Sequence, residues 1–95
     1  MKISKNKRDK IKEAILSFLF QNSPNSYFTA EIAEEIARDE EFTKALLEEL
    51  ERKNFVTLVR KNIRGISYER RLRWRISSKI YDTYRDLQGI GVQAY

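Results

Sequence analysis

The stretch LLEELERKNFV, residues 46–56, changes its pattern halfway along. In its first half, Leu47 and Leu50 stand three residues apart, which places both side chains on one side of a helix. Its second half turns to aromatic and β-branched residues, which favour a strand. Asn54 stands at the junction, and asparagine tolerates the left-handed backbone conformation of a tight turn. The stretch therefore predicts a helix that leads directly into a strand.

Apolar residues also recur at helical spacing in the part of the chain before this junction. They predict three helices, at residues 7–22, 30–38 and 40–53. Thr29 is the expected N-cap of the second helix and Asp39 of the third, because short polar side chains accept hydrogen bonds from the first free amides of a helix. The first part of the chain is thus expected to form a cluster of three helices.

After the junction, the sequence predicts two strands and one more helix. Strands at residues 55–61 and 68–76 flank a glycine-containing turn, which is typical of a hairpin. A fourth helix is expected from Ser77 or Ser78, because either serine can cap it. Gly89 is expected to end that helix in the left-handed conformation.

The returning strand of the hairpin has two unlike faces, because successive side chains of a strand point to opposite sides. One face carries the apolar residues Leu72, Trp74 and Ile76, and is expected to pack on the helices. The other face is expected to point outward with a row of arginines, whose guanidinium groups suit the geometry of phosphates. These arginines are Arg71, Arg73 and Arg75.

Residues 28–77 resemble a winged helix-turn-helix domain. The resemblance lies in FTAEIAEEI for the second helix, in LLEELERKNFV for the third helix and the strand after it, and in the closing LRWRIS. It implies an α+β, mostly helical fold with a three-helix core, a two-stranded wing hairpin and a C-terminal helix. We expect one such domain over residues 1–95, with a basic N-terminal arm at 1–10 and the C-terminal helix and tail at 77–95.

Domains similar to this one bind double-stranded DNA, with the third helix in the major groove and the wing against the backbone or the minor groove. The resemblance therefore implies a DNA-binding protein, and we expect a transcriptional regulator. Because the Lys and Arg residues of this chain gather in the hairpin and the N-terminal arm, most contacts are expected from these two segments. The candidate DNA-binding residues on the third helix, around the hairpin and on its returning strand are Thr43, Lys44, Arg60, Lys61, Arg64, Arg70, Arg71, Arg73 and Arg75.

Charge is unevenly distributed along the chain, whose net charge is +5. Residues 1–12 carry six Lys and Arg against one acid, and residues 52–75 carry nine against one. Residues 31–51, in contrast, carry nine acids against two cations. A basic block suits a polyanion such as nucleic acid, although a surface laced with ion pairs gives the same totals.

The acidic third helix departs from the pattern of a helix that reads a DNA groove, which usually presents Arg, Lys, Ser, Thr, Asn or Gln. One interpretation is a solvated face on which some glutamates pair with cations of the same helix. Another is a protein–protein interaction or assembly module that uses the acidic third helix and the basic hairpin. Both interpretations stand beside DNA binding.

Apolar side chains also gather on one side of the fourth helix, at Tyr81, Tyr84 and Leu87. An amphipathic terminal helix often supplies the dimer contact in domains that resemble this one, so a homodimer is expected through this helix. The alternative is that these side chains merely cap the core of their own chain.

The chain of 95 residues contains neither cysteine nor histidine. This composition excludes disulfides and thiolate metal sites, and it removes the commonest general base. There is no Gly-rich phosphate loop and no ligand cluster of known spacing, so we expect no enzyme, no metal and no cofactor. No apolar run approaches the about 20 residues of a membrane span, and a cytoplasmic protein is expected.

Overall fold

The computed structural model describes residues 4–59 and 72–93 of the chain, with side chains described as far as residue 87. Helices dominate these ranges, and none of the helices within them is long and apolar enough to cross a lipid bilayer. In chain order, the elements are α1 (Lys5–Gln21), β1 (Tyr27–Phe28), α2 (Thr29–Glu35), α3 (Glu40–Arg52), β2 (Val56–Val59), β3 (Arg73–Ile76) and α4 (Ser78–Gln93).

The junction of α3 and β2 has the predicted form. Asn54 adopts the left-handed conformation, with φ 63°. Its amide donates to the carbonyl of Glu51 at 3.0 Å, and the amide of Phe55 donates to the carbonyl of Leu50 at 2.8 Å. These are the two hydrogen bonds of a Schellman motif, which satisfies carbonyls at the end of the helix and redirects the chain. Only three residues, 53–55, therefore separate the helix from the strand.

Both ends of α2 differ from the sequence prediction. The helix begins with Thr29, so the predicted N-cap is wrong: the capping position is Phe28, whose amide donates to Glu31 Oε1 at 2.8 Å. The helix ends at Glu35, three residues earlier than predicted. Just beyond it, Ala37 takes a positive φ of 55°, which stops the helical path. The chain then turns into α3.

The sheet has three antiparallel strands in the order β1–β3–β2. Trp74 at the centre of β3 pairs with Tyr27 of β1 on one side and with Leu58 of β2 on the other. The antiparallel pairing of β2 with β3 confirms that the two predicted strands pair, while the predicted turn between them lies outside the described residues. Strand β1 is not predicted by the sequence pattern, because two residues are too few to show a period. It makes β3 the central strand.

One apolar core lies between the helices and one face of the sheet. Trp74 is 1% exposed, and its Nε1 donates a 2.8 Å hydrogen bond to Thr29 Oγ1, which ties β3 to the first turn of α2. Leu72 packs against this core and Ile76 is buried in it, as the alternation of β3 predicts. The buried side chains that form this cluster are Ile11, Ile15, Leu16, Leu19, Ile32, Leu46, Leu47, Leu50, Val56, Trp74, Ile76 and Ile80.

The start of α4 agrees with the prediction, whereas the end of α4 and the start of α1 differ from it. Ser77 caps α4 as expected, since its Oγ accepts a hydrogen bond from the amide of Ile80 at 3.2 Å. The predicted end at Gly89 is wrong because α4 continues to Gln93. An interior glycine costs a helix about 1 kcal/mol relative to alanine but does not force it to stop. At the other end α1 begins at Lys5, so most of the predicted basic arm is helical.

Candidate nucleic-acid interface

Helix α3 turns one side to the core and the other to solvent. Asp39 caps the helix as predicted, because its carboxylate accepts from the amide of Phe42 at 3.0 Å. Leu46, Leu47 and Leu50 are all buried, which fixes the rotation of the helix about its own axis. That rotation decides which of its polar residues a nucleic acid could meet.

Thr43 lies on the buried side of α3, and its prediction as a DNA-binding residue is wrong. Its side chain is 0% exposed, and its Oγ1 donates to the carbonyl oxygen of Asp39 at 2.8 Å. Thr43 precedes Leu46 by three residues and Leu47 by four, so it shares their side of the helix. This spacing was a sequence signal that favoured burial over recognition.

The solvent side of α3 presents one lysine among carboxylates. Lys44 is exposed, and so are Glu40 and Glu48, which stand one helical turn before and after it. Glu41 is exposed at the start of the helix as well. Over the described residues, no ion pair joins any of these side chains to another. The expected pairs within the helix are therefore absent, and this face is acidic and solvated.

Glu49 instead forms ion pairs with α1. Its carboxylate pairs with the guanidinium of Arg8 and lies 3.2 Å from Nζ of Lys12. Burial alone would raise the pKa of Glu49, but the hydrogen bond and charge of Lys12, joined by those of Arg8, outweigh burial and lower the pKa below its ordinary value. Two cations of the basic N-terminal segment are thus held by the chain's own carboxylate.

The outward face of β3 is less uniform than the predicted row of arginines. Arg75 is exposed opposite Thr57 of β2, as the alternation predicts. Arg73 is only half-exposed: its Nη2 donates to the carbonyl of Ser26 at 3.0 Å, and its Cζ lies 4.6 Å from the ring centroid of Phe28. The expectation of a fully outward Arg73 is wrong, because the unpredicted strand β1 lies beside it.

The remaining candidates belong to the connection between β2 and β3. Val59 of β2 pairs with Arg73 of β3, so residues 60–72 link the two strands of the hairpin. This connection carries five Lys and Arg and one acid. The predicted DNA-binding residues in it lie outside the described residues, and they are Arg60, Lys61, Arg64, Arg70 and Arg71.

The predicted dimer residues on α4 fall into two groups. Tyr81 and Tyr84 pack on Phe20 of α1, with ring centroids 5.1 Å and 5.4 Å away. Burial, with a smaller contribution from the charge of Glu13, raises the pKa of Tyr84 above its ordinary value. Leu87, one turn further along, is 60% exposed. The two tyrosines therefore cap the core in part, while Leu87 faces solvent.

No protein-family model matches the sequence, and no curated protein matches it either. Solved structures do resemble the chain. The Zalpha domain of Carassius auratus PKZ, solved in complex with Z-DNA, is 26% identical with a TM-score of 0.58, and the match covers 73% of this chain and 95% of that one. This likeness extends over nearly the whole of the Zalpha chain.

Two bacterial proteins match more of the chain at lower identity. Staphylococcus aureus MepR in its DNA-binding conformation is 17% identical with a TM-score of 0.66, over 88% of this chain and 58% of MepR. Lactococcus lactis ZitR is 13% identical with a TM-score of 0.62, over 90% of this chain and 62% of ZitR. The chain spans about three-fifths of the length of these two proteins. The order of its helices and strands and these likenesses show that the chain has the winged helix-turn-helix fold.

Proposed function

We propose that the protein binds double-stranded DNA and acts as a transcriptional regulator. Several proteins of similar fold support this function: the Zalpha domain was solved with Z-DNA, and MepR is a transcription regulator of a multidrug efflux pump. A fold alone does not decide function, so the proposal must also stand on the residues of this chain.

The pairing of β2 with β3 is the observation that carries the proposal. It makes residues 60–72 the connection of the hairpin, which is where a winged helix meets the DNA backbone or the minor groove. Five of these residues are Lys or Arg. Arg75 adds an exposed guanidinium on the strand that leaves the connection. Guanidinium and ammonium groups bind phosphate through charge-assisted hydrogen bonds, so this hairpin is suited to the DNA backbone.

Helix α3 is expected to contribute less to DNA binding than a typical recognition helix does. Lys44 is the one candidate on it that is exposed, and exposed carboxylates stand on either side of that lysine. Carboxylates repel phosphates, so most of the binding free energy is assigned to the wing and to the exposed N-terminal cations. Arg8 and Lys12 contribute less than their charge suggests, because Glu49 already neutralises part of it.

Titration of a fluorescein-labelled random duplex over a range of salt concentrations tests the proposal. If about four to six phosphates are neutralised, the logarithm of the affinity should fall with the logarithm of salt at a slope of about −4 to −5. Lys61→Ala and Arg64→Ala should each make that slope shallower by about 1. Lys79→Ala removes an exposed cation from α4 and should leave the slope unchanged.

Two results would count against this proposal. If the duplex does not bind at protein concentrations of about tens of micromolar and low salt, the DNA-binding function is excluded. Even non-specific binders have dissociation constants of about 10⁻⁴ to 10⁻⁶ M at physiological salt. An unchanged slope in both wing variants, with the duplex still bound, would move the interface away from the wing.

The acidic face of α3 favours a second candidate function, a protein-interaction or assembly module. Glu40, Glu41 and Glu48 are exposed together and have no ion-pair partner among the described residues, so they are available to a basic protein surface. The duplex titration separates the two candidates. A protein that fails to bind duplex at low salt would favour this second function.

A further inference from the structure

A groove of about 550 Å³ runs between α1 and the end of α2. Its floor is apolar. Ile11 and Phe18 line it from α1, and Ile36 lines it from the end of α2. Ala14 stands between the two α1 residues and is exposed, so its small side chain leaves the groove open at the middle.

The rim of the groove is basic. Lys7, Lys10 and Arg38 stand around it against one carboxylate, that of Glu35. All four side chains are exposed, and none of them forms an ion pair within residues 4–59 and 72–87. The groove therefore combines an incompletely covered apolar floor with an excess of positive charge.

The cations of α1 serve two different surfaces. Arg8 and Lys12 are turned toward α3, where Glu49 binds both of them. Lys7 and Lys10 line the groove instead. The basic N-terminal segment is thus divided between an internal ion-pair cluster and a rim that faces solvent. Helical spacing separates Arg8 and Lys12 from Lys7 and Lys10, but the sequence does not show which carboxylate or groove each pair meets.

We propose that this groove binds an acidic amphipathic helical segment of a partner protein. Apolar side chains of such a segment, spaced three or four residues apart, would cover the floor, and its carboxylates would meet the basic rim. A nucleic acid fits less well, because its backbone would gain nothing from the apolar floor. Lys7 and Lys10 also belong to the exposed N-terminal cations that the DNA-binding proposal uses. That proposal depends mainly on the wing, which the groove does not include, so either proposal can be wrong without the other.

The layout of the groove also predicts how the segment lies. From Lys7 to Gln21, the lining residues of α1 extend over about 20 Å, which a helix of about 12 to 14 residues matches. The lysines lie at the N-terminal end of α1, whereas Ser17 and Gln21 at the other end are uncharged. The carboxylates of the bound segment should therefore concentrate beside the start of α1.

Selection of a displayed library of random peptides of about 12 residues on the full chain tests the proposal. The enriched sequences should be net acidic, with apolar residues at helical spacing. A labelled enriched peptide should bind Ala14→Trp at least about tenfold more weakly, because the indole would fill the groove. Lys10→Glu should weaken binding by about tenfold through lost charge attraction. Lys79→Glu makes the same charge change on α4 and should have no effect.

Other outcomes would overturn the proposal. One is enrichment of peptides that are not acidic, or no enrichment at all. Another is a peptide that binds Ala14→Trp and Lys10→Glu with the same affinity as the wild type. Far-ultraviolet circular dichroism checks that Ala14→Trp is folded. If a random duplex displaces the peptide, and Lys10→Glu weakens binding of the duplex as much as binding of the peptide, the groove is a nucleic-acid surface. If Ala14→Trp changes the sedimentation coefficient, the occupant is a second copy of the chain.

Discussion

Trp74 and Thr29 form a buried polar contact that links the sheet to the helix-turn-helix unit. The indole Nε1 has its partner in Thr29 Oγ1 at 2.8 Å, and both residues are buried. Burial of a polar group is tolerated when its hydrogen bond is made and is costly when it is not. The hydroxyl of Thr29 is therefore a structural feature rather than a binding group.

Thr29→Val removes this acceptor while keeping the shape of the side chain. We expect a loss of about 1 to 3 kcal/mol in the free energy of unfolding, because the buried indole N–H is left without a partner. Urea denaturation measures this change in the free energy of unfolding. The control is Thr83→Val on the surface of α4, where a change within about 0.5 kcal/mol is expected. Equal effects of the two substitutions would show that the buried hydrogen bond adds nothing.

Glu49 makes the stability depend on pH. Its pKa is lowered from 4.5 in the folded chain, so its ion pairs contribute fully above the unfolded value, and the contribution is lost as the pH falls through the folded value. At neutral pH, Glu49→Gln should cost up to about 1 kcal/mol, since the pairs are partly exposed. The difference between the wild type and this variant should close as the pH falls below 4.5.

Urea denaturation at a series of pH values checks this prediction. Glu48→Gln is the matched control, because Glu48 is exposed and has no ion-pair partner among the described residues. A difference between the wild type and Glu49→Gln that stays constant from neutral to acid pH would mean that the ion pairs do not carry the effect.

At the scale of elements, the two ends and the buried side of α3 determine which of its side chains face solvent. Asp39 caps one end, and the left-handed Asn54 closes the other. Between them the leucines lock the helix rotation, so Lys44 and Glu48 reach solvent and Thr43 does not. Helix α3 can therefore approach DNA only with a face on which acids outnumber bases.

Substitutions on that face test whether α3 lies against DNA. Lys44→Ala should make the salt slope of duplex binding shallower by about 1, and Glu48→Gln should raise the affinity at low salt, because it removes a carboxylate that repels phosphate. Glu13→Gln, on an exposed position of α1, serves as the control. If neither α3 variant differs from the wild type, α3 lies away from the duplex and its acidic face is free for a protein partner.

At the scale of the whole molecule, the chain offers apolar surface at more than one place. The groove between α1 and α2 is one, and α4 is another, since it extends past Tyr84 and carries an exposed Leu87. Beside α4, Phe55, Ile80 and Tyr84 line a second groove of about 360 Å³. Together with Leu87, this is the surface through which a homodimer about a twofold axis is expected.

Leu87→Asp tests the homodimer expected through α4. It should raise the dimer dissociation constant at least about tenfold, because a carboxylate would replace an apolar contact at the interface. Sedimentation velocity over a range of protein concentrations measures this, and Leu87→Met, which keeps an apolar side chain, should still dimerise. If the wild type is monomeric at every concentration, the tyrosines of α4 only cap the core, and DNA is bound by a single chain.

Local patterns in the sequence determined much of this protein. The helices, the cap at Asp39, the left-handed turn at Asn54 and the alternation of β3 all depend on residues a few positions apart, so they can be read along the chain. The burial of Thr43 was open to the same reasoning, since it falls in phase with the leucines of α3.

Tertiary structure alone decided the rest, because the residues concerned meet across long separations in sequence. Strand β1 is too short to show a pattern, yet it pairs with β3 and brings the carbonyl of Ser26 to Arg73, 47 residues away. Glu49 meets Arg8 and Lys12 from 41 and 37 residues away. These contacts determine which cations stay available to a partner, and no local pattern encodes them, because charge alone does not specify which opposite charge it will meet.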